Sequence, residues 1–303
     1  MEDKKLVVID GSSLIYRAFY ALPRLVTSSG LPTGAVLGFL NMVLKLLDDY
    51  RPFNVVVVFD HPQKTFRHEL RESYKAQREA MPDELKPQIE TVKELLELMG
   101  FIVLEMPGWE GDDLMGTVKE KAKSDFQVFL VTSDLDMLQL LDERTVLLQP
   151  QRGVTNLKRI DLEEFEREWG ISPQQWVDVL ALSGDPSDNI SGVPGIGEKT
   201  AVKLVRQFGS WEGIVKNLSL LPPRTREAIE NHQDQVEENR KLIALAEHLP
   251  LDLEIEAWEW QKVDKNKLFK KLEILEFRKV KERLLKNRVN NRSLFSPSSE
   301  GKE

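Results

Sequence analysis

Nine acidic residues stand at or near apparent turns of the chain: Asp10, Asp60, Glu110, Asp112, Asp113, Asp134, Asp136, Asp185 and Asp188. Gathered on one rim, they would repel one another, raise their pKa values and favour divalent cations that relieve the repulsion. The chain has no cysteine, and its four histidines, His61, His68, His232 and His248, lack metal-ligand spacing, so a bound metal would be held by oxygen. Oxygen-only sites with several carboxylates suit Mg²⁺ or Mn²⁺. Nine acids suffice for two ions about 3.5–4 Å apart, the geometry that clamps the attacking and leaving oxygens of a phosphodiester. Singly, each acid reads as a helix cap or turn residue. Capping does not explain the same ending on three strands plus two further acidic clusters.

The cations are segregated. A formal net charge of −8 argues against a polyanionic partner on average, yet Lys64, Arg67, Arg71, Lys75 and Arg78 crowd one segment against only Glu69 and Glu72. Phe66 and Tyr74 lie among them, and cations for phosphate with rings for bases are what single-strand binding requires. Gly192-Val193-Pro194-Gly195-Ile196-Gly197 precedes a helix opening at Glu198, a glycine turn that offers backbone N–H groups to phosphate. Thr200 follows in its first turn, and Lys199 and Lys203 lie four apart on one face. Such contacts carry no sequence information. Two other chemistries fail: a haloacid-dehalogenase site needs a second Asp two residues after Asp10, where Ser12 stands. A P-loop would not place Glu198 between glycine and lysine.

The elements that must position these groups follow from the apolar runs. Leu6–Ile9 ends at Asp10, Val55–Phe59 at Asp60, and Val128–Val131 just before Asp134; unbroken Val/Ile/Leu runs suit strands buried on both faces of a parallel sheet. Further strands are expected at Phe101–Leu104 and Thr145–Leu148. Helices are expected at Gly34–Asp49, Leu85–Met99 and Leu114–Lys123, so the class is α/β with a mainly parallel central sheet flanked by helices. Ligands of such sheets lie beyond the C-terminal strand ends, where the acids would project. Past residue 172 helices predominate, at Pro173–Leu182, Glu198–Phe208, Pro223–Asn231, Val236–His248 and Lys267–Lys286. The expected division is an α/β domain over 1–172, a helical region over 173–290 and a disordered Ser-rich tail over 291–303. With 303 residues, 41% of them hydrophobic, the chain has material for one large core or two modest ones. Neither a signal peptide nor an apolar stretch of membrane-spanning length is evident, so a cytoplasmic location is expected.

Six ordered motifs, read together, resemble the structure-specific 5′-nuclease (flap endonuclease) family, and within it the N-terminal 5′→3′ exonuclease domain of bacterial DNA polymerase I. They are Val-Ile-Asp10-Gly-Ser-Ser with Arg17, Val-Phe-Asp60, Thr65-Phe-Arg67-His with Tyr74-Lys75-Ala-Gln-Arg78, Trp-Glu110-Gly-Asp112-Asp113, Thr-Ser-Asp134-Leu-Asp136, and Gly-Asp185-Pro-Ser-Asp188-Asn with the glycine turn. Gln77, Gly111, Leu135 and Ser191 depart from the usual residues, but no carboxylate is lost. The resemblance implies a PIN-like nuclease core and a helix-hairpin-helix over Gly192–Lys203 that grips duplex DNA, with a K⁺ ion. It implies two divalent ions, one near Asp10, Asp60, Glu110, Asp112 and Asp113, the other near Asp134, Asp136, Asp185 and Asp188. Arg17, Lys75 and Arg78 would position the scissile phosphate, the latter two from a helical arch over about 64–90 whose Lys64, Arg67, Arg71 and Tyr74 hold single strand. The implied activity is 5′→3′ exonuclease and 5′-flap endonuclease action by a monomer on flaps, nicks, free 5′ ends and RNA primers on DNA, with a DNA polymerase as a further partner. Two rivals remain: a non-catalytic branched-DNA-binding protein of this fold, marked by loss of carboxylates, and a PIN-type ribonuclease, which normally lacks the glycine turn.

Overall fold

The protein is described by a computed structural model covering residues 4–22, 25–151, 156–253 and 263–286. Five parallel strands, β1 (Lys4–Asp10), β2 (Asn54–Val58), β3 (Ile102–Leu104), β4 (Phe126–Val131) and β5 (Thr145–Pro150), and the antiparallel edge strand β6 (Leu157–Ile160) form one sheet in the order β3-β2-β1-β4-β5-β6. The apolar runs are explained by alternation. Leu6, Val8, Val56, Val58, Val128 and Leu130 enter the core on one face, and Val7, Ile9, Val55, Val57, Phe129 and Val131 enter the core on the other.

Helices α1 (Gly11–Ala21), α2 (Gly34–Tyr50), a short α3 (Phe66–Leu70), α4 (Lys86–Leu98), α5 (Gly111–Ala122) and α6 (Leu162–Trp169) are interleaved with the strands. The chain leaves β1 toward β2 and β3, then returns across β1 to β4. The strand order therefore reverses between β1 and β4, and a crevice opens there at the C-terminal strand ends. Asp10 ends β1, and Asp134 lies three residues past the end of β4.

Beyond this sheet the described residues are mostly helical: α7 (Trp176–Ser183), a two-stranded ribbon β7 (Gly184–Asp185) and β8 (Ile190–Ser191), then α8 (Glu198–Phe208), α9 (Trp211–Lys216), α10 (Pro223–Glu230), α11 (Gln233–Ile243), α12 (Lys265–Ile274) and α13 (Arg278–Lys286). Helix α7 packs on α8 and α11, whereas α12 packs back on α4.

Several expectations change. A helix not among those expected, α1, follows β1 directly, because the Asp10 carboxylate caps it through the Ser13 N–H at 2.8 Å. The apolar period that suggested one helix over Lys267–Lys286 continues through a break, where Glu276 adopts a left-handed φ of 61°. The helix expected over Val236–His248 ends at Ile243. The expected tail over 291–303 lies outside the described residues.

Candidate metal centre and nucleic-acid cleft

A cleft of about 1240 Å³ lies over the sheet reversal, and Asp10, Asp60, Glu110, Asp112, Asp134, Asp136 and Asp185 all line it. Strand ends and loops deliver these side chains. Asp10 has 8% of its surface exposed and accepts a 2.7 Å hydrogen bond from Thr132 Oγ1, which follows β4. Asp60 accepts the Gly111 N–H at 2.8 Å, and its own N–H donates to Ser12 Oγ. Asp134 accepts the Asp136 N–H at 2.9 Å, and Asp185 accepts the Ser187 N–H at 2.8 Å.

The electrostatics are those of crowded anions. Burial, then Asp60, push the Asp10 carboxyl up to about 7. Burial, then Asp134 and Asp10, hold Asp112 well above the ordinary carboxylate range. Asp134 is raised chiefly by burial, and Asp136 by burial followed by Asp134 and Asp185. These are oxygen donors whose ionisation burial and neighbouring carboxylates disfavour. Among the described residues no three acids or imidazoles converge tightly enough to form a ready ligand set, so the acids face a common space rather than a common point.

Two acids are not open to the cleft in the same way. Asp188 is buried and accepts Tyr74 OH at 2.6 Å and Arg78 Nη2 at 2.6 Å, with Lys75 Nζ at 3.5 Å. Asp113 is wholly buried, away from the cleft; its oxygens meet Arg67 Nη1 at 2.6 Å and Nη2 at 2.9 Å, the Ala246 N–H at 2.9 Å and the Glu110 N–H at 3.3 Å. A carboxylate offers about four lone-pair sites. Those of Asp113 are filled, which removes it from the expected metal ligands.

The basic segment also differs from expectation. Its short helix α3 and the turns after it lie against the body. Arg67 is 1% exposed and Tyr74 2% exposed, so neither presents a surface to the cleft in the way expected of a strand-binding side chain. Arg71 pairs with Glu238 at 2.8 Å and donates to Asn239. Lys75 Nζ lies 2.9 Å from Glu110, and its backbone is left-handed with φ of 54°. Burial works against the charge of Lys75, but Glu110 and Asp188 outweigh it and raise its pKa. Asp188 likewise raises the pKa of Arg78 against burial. Lys64, Lys75 and Arg78 line the cleft. Arg17 lies on α1, one turn past Ser13, and is not among the lining residues.

The glycine turn is built as the spacing suggested, with roles divided. Val193 and Ile196 are buried plugs whose amides bond to Leu182 O and Val193 O, so the Val193 side chain makes no outside contact. Gly195 has φ of 84°, and Gly197 caps α8 by accepting from Thr200 and Ala201. Lys199, Thr200 and Lys203 are exposed, beside first-turn amides that lack intrahelical partners as at any helix start. Gly192 packs on the backbone of Ser183 and Gly184, which seats Asp185.

Sequence reading passed over Ser12 and Thr132, which orient Asp60 and Asp10, and over Tyr16 and Tyr20 at the cleft wall, Tyr20 being 69% exposed. Hydroxyls next to the strand-end acids were the available signal for the first pair.

Residues 5–170 match the family described as "5'-3' exonuclease, N-terminal resolvase-like domain", and residues 171–266 match "5'-3' exonuclease, C-terminal SAM fold". A 5'-3' exonuclease of Aquifex aeolicus is 39% identical over 96% of this chain and 100% of its own length. DNA polymerase I of Mycobacterium leprae is 39% identical over 92% of this chain; the chain spans 31% of that relative's length. In fold, the chain is similar to the bacteriophage T5 D15 flap endonuclease solved with DNA and metal ions, with a TM-score of 0.65, 21% identity, and coverage of 92% of this chain and 100% of that one.

Proposed function

The chain belongs to the 5′-3′ exonuclease family, and from that premise we propose that its cleft hydrolyses DNA phosphodiesters where duplex meets a 5′ single strand, as both an exonuclease and a flap endonuclease. One observation carries the reading: acids from β1, α5, the β4 exit and β7 face one crevice, Asp10, Asp112, Asp134 and Asp136 among them with raised pKa values, beside the cations Lys75 and Arg78.

The residues fit divalent metal. The donors are all oxygen, and Asp10, Asp112, Asp134 and Asp136, whose pKa values burial and mutual repulsion raise, mark places where a cation would relieve repulsion. Asp10, Asp60 and Asp112 would hold one Mg²⁺ or Mn²⁺ ion, and Asp134, Asp136 and Asp185 a second. When bound, such ions make water more acidic and stabilise charge on the attacking and leaving oxygens.

The chain's own groups supply the rest. Glu110 and Asp188 are neutralised at rest by Lys75 and Arg78. A phosphate entering the cleft competes for those cations, which would turn to its oxygens and hold it for in-line attack, releasing the two acids toward the metals. Thr132 and Ser13 keep Asp10 aimed into the crevice. The α8 first turn, with Lys199 and Lys203, would grip duplex phosphates, and the glycine turn before it would hold a K⁺ ion. Among the described residues no helix is long and apolar enough to cross a membrane. We place the protein in the cytoplasm as a monomer that removes flaps and RNA primers from DNA, with a DNA polymerase as partner.

The test is single-turnover cleavage of a 5′-flap DNA with Mg²⁺. Cleavage at the junction that stops with excess chelator is expected; undiminished cleavage in chelator overturns the metal reading.

A further inference from the structure

Arg67 and Asp113 form a fully satisfied polar contact next to the cleft. Arg67 Nη1 and Nη2 fork onto Asp113, Nη2 also reaches Ala244 O at 3.1 Å, Nε donates to Leu242 O at 2.7 Å, and Nη1 lies 3.4 Å from Glu110 Oε2. The guanidinium thus joins three parts of the chain: the basic segment, the first turn of α5, and the stretch 242–246 after α11. That stretch runs along α5, since Thr117 Oγ1 donates to Ala246 O and accepts the Leu249 N–H, and Lys119 pairs with Glu247. The two acidic neighbours of Asp113 are placed differently, although Glu110 is itself paired with Lys75 Nζ at 2.9 Å. Asp112 and Glu110 face the cleft from the same turn of helix.

We propose that Arg67 and Asp113 are a positioning pair: touching neither DNA nor metal, they fix the first turn of α5 so that Asp112 and Glu110 are aimed at the metals. The assignment rests on the metal-dependent reading above. Two adjacent acids at a helix start, unrestrained, could exchange roles through a small rotation of the turn. Filling every acceptor site of one by a planar fork and two amides leaves a single orientation for the other. Lysine, a single point charge, cannot reproduce the fork. Outer partners that orient metal ligands typically change affinity about 10–100-fold when lost.

The test uses the full chain, Mn²⁺ binding by calorimetry below the melting temperature, and circular dichroism. Breaking a buried ion pair on one side is strongly destabilising, whereas replacing both partners by apolar residues is often neutral. The informative variants are therefore Arg67→Lys and the double Arg67→Met/Asp113→Leu. The double is expected to fold but melt below wild type, because the Leu242 and Ala244 carbonyls and the Ala246 N–H lose their partners. It is expected to bind Mn²⁺ about 10–100-fold more weakly, and Arg67→Lys to fold and weaken Mn²⁺ binding in the same direction. Wild-type Mn²⁺ affinity in either folded variant overturns the proposal, and Arg67→Lys decides alone if the double fails to fold. Should Arg67→Lys also fail to fold, the pair is structural and the proposal falls. Absence of Mn²⁺ binding in the wild type, by contrast, would sink the metal-dependent reading itself.

Discussion

At the scale of single residues, a side chain's job here is set by partners far away in sequence. Asp112 and Asp113 are adjacent, yet one faces the cleft and the other is saturated by Arg67 and Ala246. The acidic pattern was legible because carboxylates end buried strands, a local signal. The division of labour was not, since it depends on contacts across 46 and 133 residues of chain. The same holds for Lys75 and Arg78, which look like free phosphate grips in sequence but rest on Glu110 and Asp188. Replacing both by alanine should therefore do two things. Single-turnover cleavage should fall by about 10²–10³, as for loss of transition-state electrostatic contacts. The metal-free melting temperature should fall too, because Asp188 is left buried without its cations. An unchanged rate would remove the pair from the reaction. Asp134→Asn should abolish most turnover while duplex affinity, read by fluorescence anisotropy, holds or improves as repulsion toward phosphate falls; parallel loss of binding would point to a structural role.

At the scale of elements, the glycine turn shows what spacing reveals and what it hides. Gly-x-Pro-Gly-x-Gly ahead of a helix was readable as a phosphate grip, but its glycines are alike only on paper. A Cβ at Gly192 would lie 2.2 Å from the Ser183 carbonyl, whereas one at Gly197 meets nothing within 4 Å. Gly192→Ala should destabilise by about 1–3 kcal/mol or more through overpacking and disturb Asp185. Gly197→Ala has steric room and should lower the melting temperature far less, by the fraction of a kcal/mol that alanine costs at an N-cap. Equal melting curves for the two would refute this backbone crossing. Lys199→Ala with Lys203→Ala should weaken duplex binding alike for all sequences and flatten its salt dependence, and a sequence-dependent loss in titrations would contradict a phosphate role. Other elements escaped sequence reading for physical reasons. Strand β6 is short and half exposed, so it lacks the buried apolar run that marks its neighbours. The α12–α13 break preserves the apolar spacing on both sides, with Leu275 and Phe277 buried around it.

At the scale of the whole molecule, the crowded acids tie stability to pH and metal. Asp10, Asp112, Asp134 and Asp136 bind protons more tightly folded than unfolded, so their contribution is full below the unfolded value of 3.8. It is lost as pH rises, for Asp10 through about 7. In chelator, these groups should lower the melting temperature between pH 4 and pH 8, and Mn²⁺ should raise it more at pH 8 than at pH 5.5. Calorimetric scans with a larger metal gain at the acidic end would reverse that sign and discard the assignment. The central sheet was legible as a whole because each strand is an unbroken apolar run, but the closure of the helical half onto α5 was not. That closure carries a consequence for synthesis. A chain emerging from the ribosome has all nine candidate site acids translated by residue 188, but the carbonyls and the amide that engage Arg67 and Asp113 arrive only with residues 242–246. The nascent chain would thus hold all its ligands before it can aim them, and cutting power would be the last property it acquires.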